Sequence, residues 1–235
     1  FRSVDTSTGE VVAHEGELMV PFAADHAADP VMEEKMDAYK ARFSTEIETV
    51  VGRLQARLVR RYNEESPLGS FVADVMREVT GAEVGFINAG GLRADLSGGE
   101  VTLGHLRDAL PFLNSVVTMD LTGAQIATVL EQGLTLERGL IQVSGLEATY
   151  ALARPPGERL LSLRIGGEEA DPSRAYRVVT VNFLAEGGDL YSTFVGAPWI
   201  THDERAIGDI LIEWFRDQSS PGLVPAAGRL IPVDR

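Results

Sequence analysis

Cysteine is absent from this 235-residue chain, which excludes disulfides and thiolate metal sites and leaves the redox compartment open. No apolar run approaches the ~18 residues that a membrane helix needs. The start shows no basic segment followed by an apolar one, so no signal peptide is read there. The chain begins at Phe1 without a methionine, and it is read as a piece of something longer. Positive charge is scarce as well. Lys and Arg number 21 against 35 Asp and Glu, a formal net charge of −14. Such a surface repels a nucleic-acid backbone, whose binding requires basic clusters that displace counterions. The one short basic group, Arg57, Arg60 and Arg61, still leaves room for a small phosphorylated ligand.

Catalytic patterns are missing too. His14, His26, His105 and His202 are scattered, with no i, i+4 pair, no HExxH and no Asp-x-His, so none is read as a metal ligand. There is no G-x-S-x-G elbow and no P-loop lysine motif. What remains is ordinary globular composition, 44% hydrophobic and 24% charged, in a chain long enough to bury a core.

The pattern along the chain alternates helix and strand. Residues 1–28 read as a connector with a strand-like piece over 17–20, and residues 29–235 as the folded domain. Asp29 at the N-cap and Pro30 at N1 open a helix carrying Val31, Met32, Met36, Tyr39 and Phe43 at helical spacing. Residues 50–59 read as a strand. Ser66 and Pro67 open a second helix with a stripe of Leu68, Phe71, Val72, Val75, Met76 and Val79. A strand over 83–87 is followed by a short helix over 102–110 and a strand over 116–121. Thr122 caps a helix to about 133, strands fill 139–180, a helix covers roughly 203–217, and a strand lies near 229–232. The expected fold is α+β, a mixed α/β arrangement of layered sheets covered by helices.

Three segments carry chemistry. Asn88-Ala89-Gly90-Gly91-Leu92-Arg93 follows a strand directly. Its glycines let backbone approach a ligand closely, Asn88 offers donors and an acceptor, and Arg93 a planar fork. The same residues would equally make a tight turn with Arg93 paired to Asp95. In Leu110-Pro111-Phe112-Leu113-Asn114 a ring is held beside an amide, as a base-binding face or as an ordinary core phenylalanine. In Asn182-Phe183-Leu184-Ala185-Glu186-Gly187-Gly188-Asp189 a ring is followed by a carboxylate across two glycines. Two rings can clamp a flat base and a carboxylate can accept from ribose hydroxyls; the plainer alternative is a turn closing a loop. A Rossmann reading fails because Gly90-Gly91 lacks the third glycine at the proper spacing.

Together, in this order, these segments resemble the C-terminal domain of the metal-dependent 5′-nucleotidase family, which includes UDP-sugar hydrolases and 2′,3′-cyclic phosphodiesterases. The similarity covers approximately residues 50–232. It extends to Glu65-Ser66-Pro67-Leu68-Gly69-Ser70-Phe71-Val72-Ala73-Asp74, similar to the family's E-[ST]-x-L-G-N-L-x-A-D. Leu110–Asn114 is similar to its L-P-F-x-N, and Ile141–Gly145 to its L-Q-V-S-G. The resemblance implies an upstream metallophosphatase domain holding two divalent metal ions, with no catalytic residue or metal ligand in this chain. It implies an extracytoplasmic location, periplasmic, cell-wall associated or secreted. By the family pattern Phe112 and Phe183 would sandwich a base, Asp189 would hold ribose hydroxyls, Asn88 and Arg93 would contact base edge, ribose or phosphate, and Asn114 the base edge. Gly145 would line the pocket. The family's arginine before the Glu65 segment aligns nearest Tyr62 here, so either a small shift lets Arg61, or Arg60 before it, stand in or the contact is lost, and Ser70 replaces the usual asparagine. The alternative to a nucleotide-binding domain is a relict or interaction module that keeps the fold without the pocket.

Overall fold

The computed structural model describes residues 2–16, 19, 27–217 and 227–233. His26 and all but Met19 of the strand-like piece expected over 17–20 fall outside the described residues. The chain divides into two compact units, residues 1–45 and 46–235.

The first unit holds an antiparallel pair, β1 (Arg2–Val4) and β2 (Val11–His14), and most of helix α1 (Pro30–Ile47). Asp29 caps α1 as its position predicts, its Oδ1 accepting from the backbone N–H of Val31 at 2.9 Å and Met32 at 3.2 Å. The apolar residues of α1 are not buried: Val31, Met32, Met36, Tyr39 and Phe43 are all exposed.

The second unit is built on three sheets. β3 (Val50–Leu54) pairs antiparallel with β5 (Gly99–Thr102), so the strand expected over 50–59 ends at Leu54 and only a single bridge from Leu58 to Leu96 continues it. Helix α2 (Pro67–Thr80) begins as read: Ser66 Oγ accepts from Gly69 N, Pro67 occupies the first turn, and Gly81 closes the helix at φ +67°. Leu68, Phe71, Val72, Val75 and Met76 are buried, whereas Val79, one turn further along, is exposed.

The central sheet contains β4 (Val84–Ile87), β6 (Ser115–Thr122), β7 (Gln142–Ser144), β11 (Ala175–Val181) and β12 (Trp199–Ala206), in the order β12-β6-β11-β4-β7. β11 and β4 run parallel and the other neighbours antiparallel. Near-continuous burial of β4, β6 and β11 matches their unbroken apolar runs. A further sheet has the order β10-β9-β8-β13, from β8 (Leu146–Tyr150), β9 (Leu160–Ile165), β10 (Glu168–Glu169) and β13 (Leu230–Pro232). Helices α3 (Leu103–Ala109) and α4 (Gly123–Gly133) both start with a capping box, from Thr102 and Thr122. Short α5 (Asn182–Ala185) follows β11, and α6 (Ile207–Asp217) packs Phe215 against Gly52, where a Cβ would come within 2.5 Å of the ring. The mixed α/β reading with several helix-covered sheets holds.

The last helix differs too. The expected last helix over 203–217 starts only at Ile207, because 199–206 form the edge strand β12. Its sequence, Trp-Ile-Thr-His-Asp-Glu-Arg-Ala, carries charge and little apolar alternation, which suits an exposed edge and hides it from a periodicity search.

The sheet direction positions everything that follows. The C-terminal ends of parallel β4 and β11 lie at one end of the sheet. The N-terminal ends of β6 and β7, antiparallel to those neighbours, lie at that same end, with Val181 opposite Val116 and Ile87 opposite Gln142. Five connections therefore meet there: after β4, after β11, after β12, before β6 and before β7.

Candidate functional site

The connections after β4 and β11 and before β6 and β7, with Tyr62 from the segment before α2, enclose a cavity of about 280 Å³ lined by Tyr62, Asn88, Gly90, Gly91, Arg93, Phe112, Asn114, Arg138, Phe183 and Asp189. Six residues singled out in the sequence thus converge: Asn88, Arg93, Phe112, Asn114, Phe183 and Asp189. Their sequence separation is closed by the sheet alone.

Asn88 leaves β4 in extended conformation and opens a 3-10 turn over Ala89–Gly91. Its side chain is 5% exposed. Nδ2 donates to Asp189 Oδ2 at 2.6 Å, while Oδ1 is buried without a hydrogen-bond partner. An unpartnered buried amide oxygen carries a desolvation cost that a ligand donor could relieve. Gly91 is required beside it, since a Cβ there would stand 2.9 Å from that oxygen. Arg93 N donates to Ala109 O at 2.8 Å, which fixes this turn to the end of α3 and so to Phe112. The Arg93 guanidinium makes only a long 3.4 Å contact with Gly90 O. Asp95 does not take it. That carboxylate accepts from Arg60 N at 2.8 Å and Arg57 Nη2 at 2.6 Å, and those bonds, the backbone one foremost, hold it below the usual carboxylate range.

Phe112 and Phe183 are 47% and 39% exposed, neither buried in the core nor in contact with another ring among the described residues. Phe183 is backed by Gly188, where a Cβ would fall 2.5 Å from Cζ. The following backbone is left-handed: Asp189 has φ +52° and Leu190 φ +70°, a region that aspartate tolerates better than most side chains and leucine poorly. Tyr191 lies buried beneath, its phenol pushed up by burial and then by the charge of Asp189. Asn114 O accepts from Ile207 N, and Asn182 Oδ1 from Ser115 N at 3.0 Å, tying β6 to the start of α6 and to the end of β11.

Two expected residues lie elsewhere. Gly145 sits after β7, at the opposite end of the sheet, with φ +76° and so little room that a Cβ would meet Glu83 O at 2.0 Å; a tight turn is its reason for being glycine. Arg61 pairs with Glu64 at 3.2 Å and lines a different cavity, of about 620 Å³, with Glu65 and Tyr150. One liner was not singled out, Arg138, whose place depends on β7 being the neighbour of β4; Tyr62, the position aligned with the family's arginine, lines the cavity where Arg61 does not.

The remaining motif residues hold the fold. Gln142 Oε1 accepts from Ser66 N at 2.6 Å, and its Nε2 donates to Glu64 O and Leu140 O. Asp74 accepts from Ser144 Oγ and pairs with Arg229 at 2.7 Å. Glu65 Oε2 accepts from the N–H groups of Gly228, Arg229 and Leu230. Gly69 lets α2 approach β7, a Cβ there falling 2.3 Å from the Gln142 side chain.

Among the described residues no three His, Cys, Asp or Glu side chains are placed to hold a metal ion. His105 completes the α3 cap, and His202 Nε2 contacts Ser115 Oγ at 2.8 Å. The donor set here does not fit a two-metal centre.

The cavity lies at the carboxyl ends of β4 and β11, where open α/β sheets commonly place their ligands. A profile of the 5′-nucleotidase C-terminal domain matches residues 46–196. The chain is 34% identical over 217 residues to the trifunctional nucleotide phosphoesterase protein YfkN of Bacillus subtilis, covering 85% of this chain and 15% of that protein. It is 30% identical over 180 residues to cell wall protein Lmo0130 of Listeria monocytogenes, covering 70% and 23%. The crystal structure of a 5′-nucleotidase precursor from Thermus thermophilus superposes with a TM-score of 0.80 at 27% identity, over 100% of this chain and 49% of that one. The chain belongs to the 5′-nucleotidase family, through its C-terminal domain. It spans about half or less of the length of these relatives.

Proposed function

We propose that this domain grips the nucleoside part of a nucleotide for a phosphohydrolase whose chemistry is done by a separate metallophosphatase domain. The supporting observation is the convergence of Asn88, Arg93, Phe112, Asn114, Phe183 and Asp189 on one cavity, with half-exposed rings, an amide oxygen without a protein partner and a guanidinium without a carboxylate. In this reading a base stacks between Phe112 and Phe183, at about 1–3 kcal/mol per stacking ring. Asp189, held by Asn88, accepts from ribose hydroxyls. Asn88 and Arg93 reach the base edge, ribose or phosphate, and Asn114 the base edge. Two divalent ions and an activated water belong to the catalytic domain, and no step is assigned to residues of this chain. The whole protein is then an exported phosphoric ester hydrolase, periplasmic, secreted or attached to the cell wall; the cell-wall relative supports that location.

Calorimetric titration with adenosine and adenosine 5′-monophosphate tests the reading. Saturable binding that Phe112→Ala and Phe183→Ala each weaken is the expected result. Binding unaffected by both substitutions, or none in the unaltered chain, would overturn it.

A further inference from the structure

Arg138 lines the cavity from a wall that none of the three motif segments supplies. It sits in the turn between α4 and β7, and three contacts fix that turn. Gly139 N donates to Leu136 O, Leu140 N donates to Tyr62 O at 2.7 Å, and Gly139, at φ +82°, packs where a Cβ would meet Tyr62 O at 2.7 Å and Ala89 Cβ at 3.1 Å. The turn is therefore buttressed on both flanks while Arg138 itself stays exposed. Among the described residues its guanidinium has no hydrogen bond and no ion pair, and the acids Glu64 and Asp95 are taken by Arg61 and Arg57. Eight of the other fifteen described arginines of this acidic unit contact a carboxylate, Arg57 and Arg61 beside the cavity segments among them.

The charged groups of the cavity wall are then Arg93 and Arg138 against Asp189 alone, and Asp189 is already engaged by Asn88. A site with surplus positive charge in a chain of net charge −14 concentrates small anions and discriminates against neutral ligands. Guanidinium groups suit phosphate oxygens through their fixed forks of donors. Tyr62, the liner supplied by the segment before α2, adds no charge to this balance, and its ring lies 3.9 Å from the Cβ position of Gly90.

We infer that Arg138 is a specificity residue that reads the phosphate of the ligand, so that the site prefers a nucleotide to its nucleoside. The inference rests on the nucleoside-binding reading above. The test is calorimetric titration of the chain with adenosine and with adenosine 5′-monophosphate, at low and at high salt, for the unaltered protein, Arg138→Gln, Arg138→Lys and Phe112→Ala. Arg138→Gln lowers affinity for the monophosphate about three- to tenfold, a magnitude suited to an exposed charge contact, and leaves adenosine unchanged. Arg138→Lys restores part of the loss, and the monophosphate preference shrinks at high salt. If Arg138→Gln leaves the monophosphate-to-adenosine ratio unchanged while Phe112→Ala weakens both ligands, this inference falls and the pocket stands. If the unaltered chain binds neither ligand, the pocket falls and the inference with it.

Discussion

Two clusters of polar side chains in residues 46–235 are built from the same run of motifs, and they differ in how their groups are satisfied. Around α2, β7 and β13, Asp74, Gln142, Ser144, Arg229 and one oxygen of Glu65 bond one another or backbone groups. At the sheet end, Asn88 keeps a buried oxygen unpaired, Arg93 and Arg138 lack carboxylate partners, and two phenylalanine rings face solvent. The α2 cluster leaves Glu65 Oε1 and Ser70 Oγ unpaired in the packed interior, whereas at the sheet end the unpaired amide oxygen, two guanidinium groups without a carboxylate and two half-exposed rings line one cavity. Strain follows the same division, since Asp189 and Leu190 at positive φ belong to the cavity.

The comparison breaks most readily at the Asp74–Arg229 pair. Both side chains are largely buried, 18% and 13% exposed, and removing one leaves the other uncompensated. Arg229→Met should lower stability by about 3 kcal/mol in a denaturant titration, with adenosine affinity of the folded fraction unchanged. Phe183→Ala should do the opposite, weakening adenosine by about 1–3 kcal/mol while the denaturation midpoint stays within about 0.5 kcal/mol of the parent. Gln142→Ala strips the Ser66 N–H of its acceptor and should cost about 1–2 kcal/mol of stability, again without touching binding. Leu190→Gly relieves left-handed strain and should raise the melting temperature by the equivalent of about 1 kcal/mol or less.

How far the sequence carried this division depends on the range of the signal. Capping residues act within one turn, so Asp29, Ser66, Thr102 and Thr122 mark helix starts that the structure keeps. The six cavity residues stood in local motifs at strand ends, and ordered motifs were enough to name them. Arg138 was not legible because its place depends on β7 lying beside β4, whereas the alignment had pointed at Tyr62 without giving a tyrosine a role there. Gly145 misled because a motif glycine is equally demanded by a tight turn, and its φ of +76° against Glu83 answers that demand. Arg61 misled because a charge beside a motif goes to the nearest acid, here Glu64. Strand β12 escaped because an exposed edge needs no apolar alternation.

The smallest expected effect concerns pH. Asp95 is held below the usual carboxylate range by the Arg60 N–H and by Arg57. A carboxyl depressed in the folded state stabilises above its unfolded pKa of about 4, and that contribution fades as pH falls through the lower folded value. Asp95→Asn should therefore lower the melting temperature slightly at neutral pH, and the gap to the parent should close below about pH 4.

The central claim is that the cavity at the sheet end is a nucleoside site whose rings serve the ligand and not the core. Calorimetric titration of adenosine into the unaltered chain and into Phe183→Ala, with melting curves of both, tests it most directly. The account predicts saturable binding by the first, weakened binding by the second, and superimposable melting. No binding by the unaltered chain, or a variant that melts early yet binds as well as its parent, would contradict it.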